Sequence, residues 1–297
     1  MEAEPIDGFI NLLKLPGISS AGAVAFVKRT LQCKKVGHAG TLDPEAAGVL
    51  PIMVGKAARL FDVLVEKEKE YIIEISFGIA TDTQDAQGRI IARTAAIPSL
   101  SDLQMMLQRF TGLISQVPPA YSAIKIQGKA AYELARKGKE TERAARPARV
   151  DSIEIIEQTA EENYLLRVRC GRGVYMRTLC HDLGVALNSL AHMRFLLRTR
   201  SGFFTIDRSV TLDVLRTCAQ ESLIPIDQPI AHLPMARVSP RYERHLRSGG
   251  AMTAFERIDV QAYEGGVTRV YCGDAFAGLA QWKDGALRFQ AMLMEDA

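Results

Sequence analysis

Alternating apolar and polar positions predict a series of strands in this chain. The clearest is YIIEISF, in which Tyr71, Ile73, Ile75 and Phe77 fall on one side of a strand. Other alternating or apolar segments predict further strands at 9–13, 49–54, 149–157, 164–170 and 194–204. The pattern indicates a chain rich in strands, with shorter helical segments between them.

Helical spacing and capping residues predict the helices. Ser19 and Ser20 offer N-cap hydroxyls to a helix over roughly residues 21–29. After residue 55, apolar residues at helical spacing predict one buried face, formed by Ala57, Leu60, Phe61, Leu64 and Val65. Further helices are predicted at 100–110 (capped by Ser99 or Ser101), 175–187 and 211–219. Residues 36–47 and 79–88 are predicted as irregular connections.

Prolines and glycines divide the chain near its C-terminal fifth. Pro225, Pro229 and Pro234 lie close together and suggest a linker. Short strands with glycine turns follow, as in a small β-barrel. We therefore predict an α+β protein, with a mixed domain over residues 1–232 and a small β-rich domain over 233–297.

Composition narrows the functional classes. A hydrophobic share of 47% and a charged share of 24% are typical of a globular protein. Neither a secretory signal nor an apolar run long enough for a membrane span is visible, so a cytoplasmic protein is expected. The five cysteines form no CxxC pair and the five histidines lack metal-ligand spacing, so no metal is predicted.

The net charge of +3 is small, but basic residues are clustered. One cluster spans 136–149; the others are Arg194, Arg198 and Arg200, and Arg237, Arg241, Arg244 and Arg247. Repeated basic clusters suggest a face that binds a polyanion. Ordinary solvated surface is the alternative for each cluster taken alone.

Three segments combine side chains suited to chemistry. Asp43 precedes Pro44 in a glycine-containing loop, where its carboxylate can project into a cleft or merely cap a turn. Tyr175 and Arg177 follow a Gly-Arg-Gly turn near a helix start, a suitable anion site, although both can equally be exposed surface residues. Tyr71 can stack on a base or belong to the core.

Six blocks of the chain resemble the motifs of one enzyme family and occur in the family's order over roughly residues 8–205. They are KLPGISS, GHAGTLDPEAAGVLPIMVGKA, KEKEYIIEISFGIATDTQDAQG, PPAYSAIKIQGKAAYELARKG, CGRGVYMRTLCHDLG and AHMRFLLRTRSGFF. The second is similar to the signature loop of the TruB family of tRNA pseudouridine synthases. By these ordered blocks the chain is identified as a member of that family.

The resemblance implies an enzyme that flips the T-loop uridine of tRNA (position 55) out of its stack and isomerises it to pseudouridine. Asp43 would be the catalytic aspartate, Arg177 would pair with it, and Asp85 matches a family carboxylate near the flipped nucleotides. The implied partner is the T-arm of tRNA. No cofactor, metal, guide RNA, membrane or obligatory protein partner is implied, and a monomer is expected.

The same resemblance implies the substrate contacts. Tyr71 would stack on the flipped uracil, and His38 would occupy the place that the base leaves. Tyr175 and Leu196 would line the uridine pocket.

The implied fold is a mixed, largely antiparallel sheet flanked by helices, followed by a small β-barrel-like domain of PUA type that binds RNA. A basic insertion near residues 120–150 would grip the RNA. Two positions depart from the family pattern. Leu15 follows Lys14 where a proline is usual, and Ala39 replaces a common hydroxyl residue, so one hydrogen bond at the RNA interface would be absent.

Three other functions stay open at this stage. A non-catalytic RNA-binding or tRNA-folding protein could keep the scaffold, although the presence of Asp43, Tyr71 and Arg177 together argues against it. A small-molecule nucleoside enzyme would need neither basic clusters nor an RNA-type domain. An RNA-guided synthase is a closer variant that normally requires partner proteins.

Overall fold

The computed structural model describes residues 6–65, 67–122, 125–126, 129–130, 143–248, 250, 252–253, 257–260 and 265–294. Most of the predicted insertion, including its basic residues at 136–142, lies outside the described residues. Among the helices of the described part, none is both long and apolar enough to cross a membrane.

The strands of the first part of the chain build a nine-stranded sheet and two small ribbons. In chain order the strands are β1 (Gly8–Lys14), β2 (Val36–His38), β3 (Ala47–Val54), β4 (Lys69–Phe77), β5 (Ile79–Thr81), β6 (Ile90–Arg93), β7 (Gly112–Gln116), β8 (Lys125–Ile126), β9 (Lys129–Ala130), β10 (Arg146–Ala160), β11 (Asn163–Cys170), β12 (Ala191–Ser201) and β13 (Phe204–Thr205). The large sheet has the order β1-β3-β12-β4-β11-β10-β7, with β2 beside β3 and β13 beside β12.

The α-helices of the described residues are α1 (Ser20–Thr30), α2 (Phe61–Val65), α3 (Leu100–Arg109), α4 (Met176–Ala186), α5 (Leu212–Thr217) and α6 (Glu243–Arg247). Short 3₁₀ helices occur at Gly55–Leu60, Ile206–Arg208, Gln228–Ile230 and Pro240–Tyr242. Helices α1, α3, α4 and α5 bury apolar residues in the same core as the sheet. The predicted caps are resolved: the Ser19 hydroxyl accepts a hydrogen bond from the Gly22 amide, and the Ser99 hydroxyl from the Asp102 amide.

The large sheet is mixed but mainly antiparallel, as predicted. Of the pairings described in it, the one between β12 and β3 is parallel, with Arg198 opposite Gly48. Strands β12 and β11 flank β4 antiparallel, so that Leu196 faces Ile73 and Val168 faces Tyr71. The centre of the sheet therefore consists of the strands that carry the candidate site.

A second, six-stranded sheet follows. Its strands are β14 (Met235–Val238), β15 (Met252–Thr253), β16 (Arg257–Val260), β17 (Val267–Cys272), β18 (Ala275–Lys283) and β19 (Ala286–Met292), in the order β15-β19-β18-β17-β14-β16. The sheet is a curled half-barrel, which agrees with the predicted β-barrel-like end of an α+β chain. It packs on the first part through one apolar cluster that contains Phe9, Leu60, Leu279 and Leu293.

Several local predictions were wrong. The segment after residue 55 begins as a 3₁₀ helix and becomes α-helical only at Phe61, whose side chain is partly exposed instead of buried. The connections at 36–47 and 79–88 contain the short strands β2 and β5. Each is only three residues long and pairs with the next strand of the chain, β3 or β6, so it is too short to show a hydrophobic period.

Candidate active site

Four segments and the single residue Ser122 meet around one cavity of about 270 Å³. The Asp43 loop forms one wall, and the turn from Gly171 to Arg177 forms another. Tyr71 of β4 and Leu196 of β12 line it from the sheet. The chain thus brings together five residues that the sequence singled out: Asp43, Tyr71, Tyr175, Arg177 and Leu196.

Asp43 and Arg177 form a two-point ion pair at this cavity. Arg177 Nε lies 3.0 Å from Asp43 Oδ2, and Arg177 Nη2 donates to Asp43 Oδ1 over 3.3 Å. The arginine side chain is 7% exposed, whereas that of Asp43 is 41% exposed. The carboxylate is therefore fixed from behind by the guanidinium while it stays open to the cavity.

Further contacts fix the guanidinium itself. Arg177 Nη2 donates to the Tyr121 carbonyl over 2.8 Å, and Nη1 lies 3.8 Å from Asp85 Oδ2. Asp85 in turn accepts hydrogen bonds from the Thr83 hydroxyl and the Gln87 amide at its other oxygen. Arg177 therefore links the two carboxylates, and Asp85 reaches the site through it.

Burial and neighbouring charges shift the pKa of Asp43 in opposite directions. Burial raises the pKa of Asp43 above its ordinary value, Arg177 opposes this rise, and Asp85 adds to it. The net result is a raised pKa. In its ionised form such a poorly solvated carboxylate suits proton transfer or covalent attack.

The apolar and aromatic walls come from the sheet and from α4. Tyr71 is 8% exposed, so it belongs to the core and also lines the cavity. Leu196 is buried beside it. Tyr175 precedes α4, where its amide donates to Gln116 Oε1 and its carbonyl accepts from Gln116 Nε2. This pair of bonds fixes the start of the helix that carries Arg177.

His38 lies at the end of β2, outside the residues that line the cavity. Burial lowers the pKa of His38, and the charge of Arg198 lowers it further, so the ring is neutral near pH 7. Its Nδ1 is buried without a hydrogen-bond partner among the described residues. The structure therefore places His38 in the same loop region as Asp43 but not in contact with it.

Two residues that position the Asp43 loop were not predicted. Lys14 is fully buried, and its Nζ donates to the carbonyls of Leu15, Pro44 and Ala46. Burial lowers the pKa of Lys14 to about 8. Ser20, predicted as a cap, instead binds both the amide and the carbonyl of Leu42. The alternation rule gives no signal for a buried lysine, which was therefore missed.

Ala39, which departs from the family pattern, lies in the interior. Its side chain is buried in the apolar cluster that joins the two sheets. The amide of Ala39 donates to the Pro51 carbonyl. Position 39 is thus a core position among the described residues, and the expected absence of a hydrogen bond to RNA stays a prediction.

The arginines of the second and third basic clusters differ in their ion pairs and in their burial. In the second cluster, Arg194 pairs with Glu74, Arg200 pairs with Glu68, and Arg198 is buried. Two arginines of this cluster are thus ion-paired at the surface and one is buried, while binding of a polyanion by the cluster stays a prediction. In the third, Arg237 pairs with Asp274 and Arg247 with Glu243, while Arg241 stacks on Tyr242.

Comparison with known proteins decides the family. Residues 28–176 match the model of the TruB family pseudouridylate synthase N-terminal domain, and residues 177–230 match the tRNA pseudouridylate synthase B C-terminal domain. The chain belongs to the TruB family. The match covers every segment that lines the cavity, so the resemblance of the motifs is confirmed and the chain is a pseudouridine synthase by family.

Curated relatives of this chain support the assignment to the TruB family. The chain is 44% identical over 243 residues to tRNA pseudouridine synthase B of Heliobacterium modesticaldum, covering 80% of this chain and 79% of the relative. It is 41% identical over 256 residues to the protein of the same name from Alkaliphilus oremlandii, covering 86% and 85%. Among solved structures, a chain of a Cbf5–Nop10–Gar1 complex superposes with a TM-score of 0.74 at 25% identity, covering 97% of this chain and 85% of that one.

Proposed function

We propose that this protein isomerises the T-loop uridine of tRNA, position 55, to pseudouridine, with Asp43 as the catalytic carboxylate. The observation that carries the proposal is the Asp43–Arg177 pair at 3.0 Å, open to a cavity that Tyr71 and Leu196 also line. The relatives' printed name, tRNA pseudouridine synthase B, supports tRNA as the substrate.

The reaction breaks the N1–C1′ bond of uridine, turns the uracil and forms a C5–C1′ bond, while the proton on C5 is released and N1 gains one. An ionised carboxylate serves this chemistry by covalent attack or by taking up a proton. Arg177 keeps Asp43 charged in a poorly solvated site, where an unpaired charge would be costly. The sequence of bond changes is redox-neutral.

The other site residues would hold the flipped nucleotide. Extruding the base costs about a few kcal/mol, and stacking on Tyr71 returns about 1–3 kcal/mol. Leu196 and Tyr175 would enclose the uridine, and His38 would fill the vacated place in the RNA. Asp85 would act through Arg177, because that is the cation it approaches.

We further propose two RNA-binding regions outside the cavity. Residues 233–297 would form a PUA-type RNA-binding domain after a catalytic domain over 1–232, supported by the separate sheet that begins at Met235. The basic stretch near 120–150 would grip the T-arm. Phosphate contacts would make tRNA affinity fall with salt.

The enzyme would act as a monomer, without guide RNA or partner protein. The Cbf5 complexes share its fold, but the curated relatives are named for tRNA alone. An RNA-guided synthase is the competing proposal. The two differ in whether purified protein suffices for turnover.

The decisive measurement is tritium release from uracil C5 of an unmodified tRNA transcript, with purified protein alone. Wild-type protein should release tritium, whereas Asp43→Asn should release none and should still bind tRNA with similar affinity. A transcript with cytidine at position 55 should also give no release. Turnover by Asp43→Asn would contradict the assigned catalytic role.

The matched control is Asp213→Asn. This carboxylate is 85% exposed on α5 and pairs with Arg216, away from the cavity-lining segments. Its variant should keep wild-type release. Tight tRNA binding without release by wild-type protein would favour the partner-dependent or non-catalytic alternatives.

A further inference from the structure

Arg198 is a buried cation at the edge of the cavity that the proposed chemistry does not use. Its side chain is 1% exposed, and it lines the cavity. Strand pairing sets it between Gly48 of β3 and Tyr71 of β4. Three adjacent strands thus bring one guanidinium between the wall that carries Asp43 and the wall that carries Tyr71.

The guanidinium donates to backbone carbonyls of the Asp43 wall. Nε donates to the Val49 carbonyl over 2.7 Å, Nη2 to that of Gly40 over 3.1 Å, and Nη1 to that of Thr41 over 3.5 Å. These acceptors lie on both sides of Asp43 in the chain. A planar fork with five N–H groups can satisfy acceptors in several directions, which the single nitrogen of a lysine at this position could not do.

Two glycines allow this close packing. Gly48 has a φ of +117°, and a Cβ there would lie 2.2 Å from the Arg198 carbonyl oxygen. Gly40 has a φ of +106°, and a Cβ there would lie 3.5 Å from Nη1. The loop and β3 therefore fold directly against Arg198, without side chains between them.

Arg198 also acts on the opposite wall. Tyr71 is its cross-strand neighbour. Burial raises the pKa of the Tyr71 phenol, while the charge and a hydrogen bond from Arg198 lower it. One side chain thus contacts the loop of Asp43 on one side and the phenol of Tyr71 on the other.

We propose that Arg198 is a positioning residue for the isomerisation, which holds the Asp43 loop at a fixed distance from Tyr71. The flipped nucleotide then meets carboxylate and aromatic ring together. This inference rests on the proposed function. Misplacement of a reacting group by about 1 Å costs about 100-fold in rate, so a loosened loop should slow the reaction more than it weakens tRNA binding.

The test is the variant Arg198→Lys in the full chain. This substitution keeps the positive charge but removes the planar guanidinium with its several N–H donors. Single-turnover tritium release should fall by about 100-fold, while the Kd for tRNA stays within about twofold of wild type. Rates are compared at a temperature where circular dichroism shows both proteins folded. Release within twofold of wild type would overturn the proposal, as would parallel losses of rate, affinity and folded fraction, which indicate a purely structural residue.

The matched control is Arg169→Lys on β11. Arg169 pairs with Glu70 at 2.8 Å on the other face of the sheet and is half-exposed, so loss of its fork should leave the rate unchanged. In Arg198→Ala, added guanidinium should restore release and methylammonium should not. Equal recovery with both would show that charge alone matters and would overturn the positioning role.

Wild-type release is the reference for all these variants. Its absence would count against the proposed function. Wild-type release together with an unimpaired Arg198→Lys enzyme would count against Arg198 alone.

Discussion

Burial and the charged residues around the cavity have opposing effects on the pKa of Asp43. Burial and Asp85 raise the pKa of Asp43, whereas Arg177 and Lys14 lower it, and the net direction is upward. The ionised form is the one the proposed chemistry needs. Activity should therefore be present above the raised pKa and disappear as the pH falls through it.

The acid limb of the pH–rate profile should accordingly lie above about pH 4, the ordinary range of an aspartate. In Arg177→Met the larger of the two opposing cations is absent, so only Lys14 still opposes burial and Asp85. The acid limb should therefore move to higher pH, with a lower maximal rate. Single-turnover tritium release at saturating enzyme measures both profiles. An unmoved limb in Arg177→Met would mean that the titrating group is not Asp43.

The sequence predicted the residues that belong to local motifs but not those whose contacts lie far away in the chain. Asp43, Tyr71 and Arg177 stand in motifs and were found through them. Lys14 and Arg198 were missed as buried cations, because lysine and arginine are usually exposed. Their burial depends on carbonyls elsewhere in the chain: Gly40 is 158 positions from Arg198. Such acceptors become visible only once the sheet has formed.

At the scale of elements, alternation predicted the long central strands because each buries one face. Strand β4 has Tyr71, Ile73, Ile75 and Phe77 buried, as the pattern indicates. Strands of three or four residues, such as β2 and β6, have too few positions to show a period. Strand β6 (Ile-Ile-Ala-Arg) is exposed along its whole length and its residues do not alternate between apolar and polar, so it has no buried face for the pattern to indicate.

The contact between β3 and β12 depends on Gly48. Gly48→Ala would place a Cβ 2.2 Å from a backbone oxygen at a φ of +117°, so β12 or β3 must shift. We expect a loss of about 3 kcal/mol or more in the free energy of unfolding, together with slower turnover. Gly285→Ala is the control, since Gly285 also has a positive φ but open space around it, and it should cost only about 1 kcal/mol. Equal losses in urea unfolding would contradict the packing argument.

At the scale of the whole molecule, the two sheets share one apolar cluster. The first part contributes Phe9, Val49 and Leu60, and the second contributes Leu279 and Leu293. Polar contacts reinforce it across the same junction. The Tyr271 hydroxyl donates to Asp227 over 2.7 Å, and Arg59 donates to the Met292 carbonyl.

A shared core should make the two sheets unfold together. Trp282, the single tryptophan of the chain, lies on β18, so its fluorescence reports the second sheet, while far-ultraviolet circular dichroism is dominated by the larger first part. Both probes should give the same urea midpoint.

Leu279→Ala, which opens a cavity in the shared cluster, should lower both midpoints by an amount equivalent to about 2–5 kcal/mol. The control Leu113→Ala, at a residue 78% exposed on the edge strand, should change the stability by less than about 0.5 kcal/mol. If tryptophan fluorescence changed well before circular dichroism in the wild type, the sheets would be separate folding units, and the apolar cluster would be a docking surface between them.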